Sequence, residues 1–146
     1  MKQALKHVGI AVIVILLALQ FVPVEKINPP DHGEAGAPAE VRALLRRACF
    51  DCHSNETVWP WYASVAPISL LIARDVNKGR REVNFSIWNQ YDDKRKARKR
   101  REIAKEVEKG SMPLRYYLAL HHDAKLTAAE RDLIVKWAKA RLSGNP

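Results

Sequence analysis

The chain has 146 residues, and its first third differs in composition from the remainder, which leaves room for one folded domain of about 100 residues and excludes a second. Its 25 Lys and Arg against 16 Asp and Glu give a net charge of +9, compatible with a nucleic acid, an anionic membrane surface or an acidic protein partner and selecting none of them. The only two cysteines are three positions apart, where a disulfide would close a very short loop and add little stability, so they are read as chemistry and a disulfide framework is excluded.

From the amino terminus, residues 1–7 read as a cytoplasmic start and residues 8–24 as an almost unbroken apolar run, interrupted by Gln20 and Pro23. At helical rise its seventeen residues reach about 26 Å, the short end of what spans a bilayer core. A cleaved signal peptide shares the basic start and apolar core. Residues 20–25 (QFVPVE), however, offer no small-x-small cleavage site, and Ala35-x-Ala37 lies too far downstream. The run is therefore expected to remain as a single transmembrane anchor. Lys2 and Lys6 precede it and only Lys26 follows closely, which favours a cytoplasmic N-terminus and an exported body. Residues 25–38 are expected to be a linker, and the Pro, Gly and Ala of 28–38 suit a flexible tether.

Residues 39–143 read as an all-α body. Pro38 suits a first helical turn, and Val41, Leu44, Leu45 and Ala48 recur at helical spacing up to Cys49. A second helix is expected from Pro67 to about Lys78, with Ile68, Leu71 and Ile72 on one face and Gly79 as its stop. Residues 83–88 carry no clear pattern. Asp92 or Asp93 caps a third helix, very basic in its first half, that ends at Gly110. Pro113 opens a short fourth helix through Tyr116, Tyr117 and Leu120. Thr127 and Glu130 form a capping box ahead of Leu133, Ile134, Trp137 and Ala138, with Gly144 closing the last helix. No stretch alternates apolar and polar residues long enough to argue a sheet, and no internal repeat occurs.

Cys49-Phe50-Asp51-Cys52-His53 carries the chemistry. CxxCH is the pattern of c-type haem attachment, in which two thiols add to porphyrin vinyl groups and the adjacent imidazole ligates iron. Two intervening residues let both sulfurs reach vinyls on adjacent pyrrole rings, with His53 under the ring. Two other uses stand beside this one. A redox CxxC follows a strand and opens a helix with a lowered thiol pKa, whereas here the motif follows a helix. A structural zinc site needs four ligands, which Cys49, Cys52, His53 and one of His121 and His122 supply at a spacing unlike any familiar zinc module.

Met112 is the only methionine besides the initiator and precedes Pro113, which fixes the loop. It is the candidate second axial ligand; as a soft thioether it favours the reduced iron and raises the reduction potential. An ordinary core methionine is the competing reading, and His121 and His122 are rivals for the ligand position.

A helix, CxxCH, a long middle, Met112-Pro113 and a final helix with Trp137 together resemble a monohaem cytochrome c. His53-Ser54-Asn55-Glu56-Thr57, Trp59-Pro60-Trp61-Tyr62, Ala66-Pro67, Asn84-Phe85-Ser86 and Met112-Pro113-Leu114 resemble more closely the bacterial haem-binding domain family, over about residues 39–143. The resemblance implies a small cytochrome c-like helical domain exported to the periplasm from a bacterial inner membrane. It implies one covalent haem c, with Cys49 and Cys52 as thioether partners, His53 as proximal ligand and Met112 as candidate distal ligand. The chain departs from common cytochromes c because its first domain helix lacks the Gly and aromatic pair that packs on the last helix, which puts that crossing in doubt.

Trp59, Trp61 and Tyr62 can cover a haem edge, donate to a propionate or fill the core. Asn84 and Trp88 are read as a loop tie and a core aromatic in preference to haem contacts. Residues 94–101 carry seven positive charges; in an exported domain they suit a solvated face or a docking face for an acidic redox partner or anionic lipid, and no nucleic acid is expected. The expected function is one-electron transfer by a carrier, not an enzyme, with the membrane and a redox protein as partners. A haem sensor or small peroxidase with a displaceable distal ligand is the alternative, and a haem-free basic binding protein a third.

Overall fold

A computed structural model describes residues 1–33 and 35–140, so the expected Gly144 stop and residues 141–143 of the expected domain lie outside the described residues. Helix α1 runs Lys2–Leu19 and buries no side chain. It is long and apolar enough to cross a membrane, with mean hydropathy 1.8. It therefore starts and stops about five residues earlier than the apolar run 8–24 implied. Pro23 and Gln20 account for the early end, since proline clashes with the preceding turn and cannot continue the ladder.

The body is helical, with no strand among the described residues. Helix α2 (Ala39–Ala48) buries Val41, Leu44, Leu45 and Ala48, the face its spacing predicts. The one-turn helix α3 (Phe50–His53) continues it after a break at Cys49. Helix α4 (Ile68–Glu82) runs past Gly79, the expected stop, because a glycine is needed there for a close crossing, and ends where Val83 turns extended. Asp92 caps α5 (Asp93–Glu108) by accepting from the Arg95 N–H at 2.7 Å. Gly110 follows at φ +65°, the left-handed conformation that ends helices and suits glycine. Helix α6 (Arg115–Leu118) is the short element after Pro113, and α7 (Ala128–Ala140) opens on the Thr127–Glu130 capping box. Short 3-10 turns at Trp61–Ser64, Phe85–Gln90 and His122–Ala124 connect these elements.

Helix α7 packs on α5 and on α2, so the last and first domain helices cross without the Gly and aromatic pair; α3 and the Trp61–Ser64 turn pack on α4. Leu45, Ile134 and Trp88 are almost wholly buried at the centre, and each of the two aliphatic chains contributes about 1.5–3 kcal/mol by leaving water. Phe50, Phe85 and Trp88 stack in a column with ring centroids 5.3 and 6.1 Å apart, which makes Trp88 the core aromatic expected.

The expected flexible tether lies bonded along the body. Asn28 donates to Thr57 O at 2.9 Å, the His32 N–H to Ser86 O at 2.7 Å, and Asn55 donates to Pro30 O at 2.8 Å. Arg80 bonds Ile27 O at 2.7 Å and Asn28 Oδ1 at 2.9 Å, and also Ser54 O and Thr57 Oγ1. Proline takes away backbone N–H donors and glycine side chains, but both leave the carbonyls, and those find donors on the domain.

Candidate functional site

The turn carrying Cys49, Cys52 and His53 is fixed from behind by a polar lock. Ser54 Oγ donates to Phe50 O at 2.7 Å and Thr57 Oγ1 to Asp51 O at 2.7 Å, closing the loop over α3. Asn84 Nδ2 donates to Asn55 Oδ1 at 2.8 Å, the Ser86 N–H donates to Asn84 Oδ1, and Ser86 Oγ accepts from the Asn55 N–H. All of these side chains except Asp51 are buried, so leaving any of them unpaired is costly. Asn84 is thus the loop tie, and the two polar strings 54–57 and 84–86 hold one another rather than a ligand.

In front of the turn lies a cleft of about 190 Å³ into which Cys52 opens. Its apolar walls come from Ile68, Leu71 and Ile72 of α4 and from Leu114 and Leu120 around α6. The sequence placed the α4 trio on one face correctly, but that face lines the cleft instead of the core. Asp75 follows Ile68, Leu71 and Ile72 at the next helical interval and lines the cleft with them, a signal present in the spacing. Polar groups also reach the cleft from Asp51, Tyr62, Tyr117 and His121. Tyr117 donates to Asp51 Oδ2 at 2.8 Å. The His121 ring stacks on Tyr117, its Nδ1 donates to Tyr117 O at 3.0 Å, and its Nε2 accepts from Tyr62 OH at 3.2 Å.

The two thiols are free. Burial, then Cys52 nearby, pushes the Cys49 thiol up to about 12; burial, then Asp51 and Asp75, does the same to Cys52. Both are protonated at neutral pH, the opposite of the lowered pKa a redox CxxC uses. Burial lowers the His53 pKa against the opposing pull of the Val83 and Gly79 carbonyls, so the ring is neutral at pH 7. Its Nδ1 lies 3.0 Å from Val83 O, which can only accept, so Nδ1 carries the proton and Nε2 the lone pair. A metal-ligating histidine shows the same tautomer and the same carbonyl contact.

The three motif side chains leave the turn in different directions. Cys52 faces the cleft, Cys49 packs against the hydrophobic core, and His53 turns to Val83 with its ring edge toward Phe85. Among the described residues no three His, Cys, Asp or Glu side chains converge as a metal would need, which leaves the zinc reading without a site. Met112 is half-buried and not on the cleft wall, two residues before Leu114, which is. Its loop is held by the Ser111 and Met112 N–H groups on Glu106 O.

The donor set fits a c-type haem chemically, with two protonated thiols, a neutral imidazole of suitable tautomer and an apolar slot. A further fit is Trp59, whose indole Nε1 is buried without a hydrogen-bond partner between the cleft residues Val58 and Pro60. Of the three motif side chains only Cys52 lines the cleft, whose exposed rim includes Tyr116 and Leu120. No curated protein and no solved structure matches the chain. A family model described as the haem-binding domain covers residues 14–140, from inside α1 to the end of α7. The chain belongs to the haem-binding domain family.

Proposed function

We propose that the protein is a membrane-anchored periplasmic electron carrier with one covalent haem c. The observation that carries this reading is the apolar cleft opening at Cys52 of a CxxCH turn in a haem-binding domain. Bound haem supplies one-electron Fe(II)/Fe(III) chemistry, and the protein sets its potential through ligation and burial. Cys49 and Cys52 would hold the haem as thioethers, each free S–H adding across a vinyl C=C, sulfur to one carbon and hydrogen to the other, without an oxidant, and His53 would supply an imidazole nitrogen to its iron. No substrate bond is broken, so no catalytic residue is required.

Met112 would be the first candidate for a second iron ligand, because its loop is tied by backbone bonds to Glu106 O. His121 is the second reading: it lines the cleft, but both ring nitrogens are already engaged with Tyr62 and Tyr117. Displacement of either ligand by a gas or peroxide would make the protein a sensor or a weak peroxidase.

The basic run is less free than its composition implies. Lys99 is 3 % exposed and paired with Glu102 at 3.2 Å, while the Arg100 guanidinium lies over Trp88 and Trp137. Lys94, Arg95, Arg98 and Arg101 are exposed and form the docking face proposed for an acidic redox partner.

Expression with export in a host competent for cytochrome c maturation tests the assignment. Haem should stay with the denatured polypeptide, and Cys49→Ala with Cys52→Ala should release it. Haem that extracts completely from the unchanged chain overturns covalent attachment.

A further inference from the structure

Outside α1 and the residues just after it, the exposed large apolar side chains gather in one region. Five of them, Val58, Ile68, Leu71, Tyr116 and Leu120, line the cleft, where a bound group would cover them. Trp61 and Val65 do not line it, yet Trp61 is 80 % exposed and Val65 43 %. Tyr62 of the same turn lines the cleft and Ala63 is buried, so packing accounts for the turn but not for a tryptophan so exposed.

Those two residues stand where α1 meets the body. The Gln20 side chain, at the C-terminal cap of α1, donates to Ala66 O at 3.0 Å and accepts from the Ala66 N–H at 3.1 Å. Six residues on, Lys26 Nζ donates to Ser64 Oγ at 2.6 Å. All three bonds fall on the segment 61–66, two after Val65 and one before it. If α1 spans the bilayer, its C-terminal end marks the headgroup boundary, and the bonds to Ala66 and Ser64 bring Trp61 and Val65 to that depth. Tryptophan is enriched at that level, with its ring among the headgroups and its N–H in reach of water, and lysine beside it suits the phosphate layer.

We propose that the Trp61–Ser64 turn and Val65 form a second membrane contact, seated in the interface of the same bilayer that holds α1. The occupant is lipid, since the patch is bonded to the end of the helix read as the anchor, with Lys26 beside it. This rests on the reading of α1 as a retained anchor. Pro60 and Ile68, on either side of the turn, line the cleft, so the contact sets one rim of the haem site at the membrane surface.

Photo-crosslinking of the full-length haem protein in vesicles of phosphatidylcholine and phosphatidylglycerol tests it. The probe is p-benzoylphenylalanine, placed singly at Trp61, at Val65 should the first variant not be recovered, at Val12 within α1, and at Lys136 on the exposed face of α7. Lipid adducts at Val12 and at Trp61 or Val65, several-fold above Lys136, are expected. Adducts at Val12 with Trp61 and Val65 no higher than Lys136 overturn the contact and leave the anchor standing. Absence of adducts at Val12 shows that the anchor reading has failed, and the contact with it.

Discussion

Gly79 of α4 lies directly against the backbone carbonyl of Cys52: a Cβ at position 79 would overlap Cys52 O and come within 3.0 Å of its carbonyl carbon. The helix that walls the cleft and the turn that bears the thiols therefore touch through main chain, and any side chain at 79 must separate them. Gly79→Ala gains helix propensity but overpacks this crossing, which costs about 1–3 kcal/mol. A lowered urea midpoint and reduced haem incorporation are expected, with the exposed Lys78→Ala as the unchanged control. A Gly79→Ala protein of full stability would show that α4 slides without consequence.

The two distal candidates separate spectroscopically. Met112→Ala should turn the ferric haem from low-spin to high-spin and let the ferrous protein bind carbon monoxide rapidly, while His121→Gln leaves both unchanged. The reverse pattern assigns the place to His121.

The unpartnered indole of Trp59 gives a differential test. Trp59→Phe deletes the N–H together with the five-membered ring that carries it, so the haem-free chain should lose packing stability but no hydrogen bond. The haem protein should shift in reduction potential or lose more stability if that N–H meets a propionate. Equal thermal shifts with and without haem would assign Trp59 to packing alone.

Glu130 links the last helix to pH. The Thr127 backbone N–H donates to its carboxylate at 2.8 Å and Arg47 adds a second contact at 2.6 Å, holding its pKa below the ordinary carboxylate value. The folded state therefore favours the ionised form. The resulting stability is complete above the unfolded carboxyl pKa, about 4.3, and is lost as pH falls through the lower folded value. Chemical denaturation from pH 6 down to pH 3 should show a smaller acid-side loss for Glu130→Gln than for the unchanged chain. Thr127→Ala, which removes the cap oxygen, should cost about 1 kcal/mol at neutral pH.

Much of this was legible in the chain because it depends on local periodicity and capping. The apolar face of α2, the Asp92 cap and the Thr127–Glu130 box each depend on neighbours three or four positions apart. Gly79 was misread because a glycine after an apolar stretch signals a helix end, and only the approach of Cys52 in α3, 27 positions away, makes it an interior crossing point. The same distance hid the role of Ile68, Leu71 and Ile72: periodicity identifies an apolar face but not whether core or cleft lies opposite it. Asn28 and Pro30 looked unstructured because their partners, Thr57 and Asn55, are nearly thirty residues away.

Arg80 has one more consequence. By gripping Ile27 and Asn28 on one side and Ser54 and Thr57 on the other, it removes the slack between α1 and the CxxCH turn. A domain so moored cannot swing out on a leash to meet distant proteins. For the electron carrier proposed above, exchange would then happen at a fixed height, and the donor or acceptor would have to bring its own redox centre to that level.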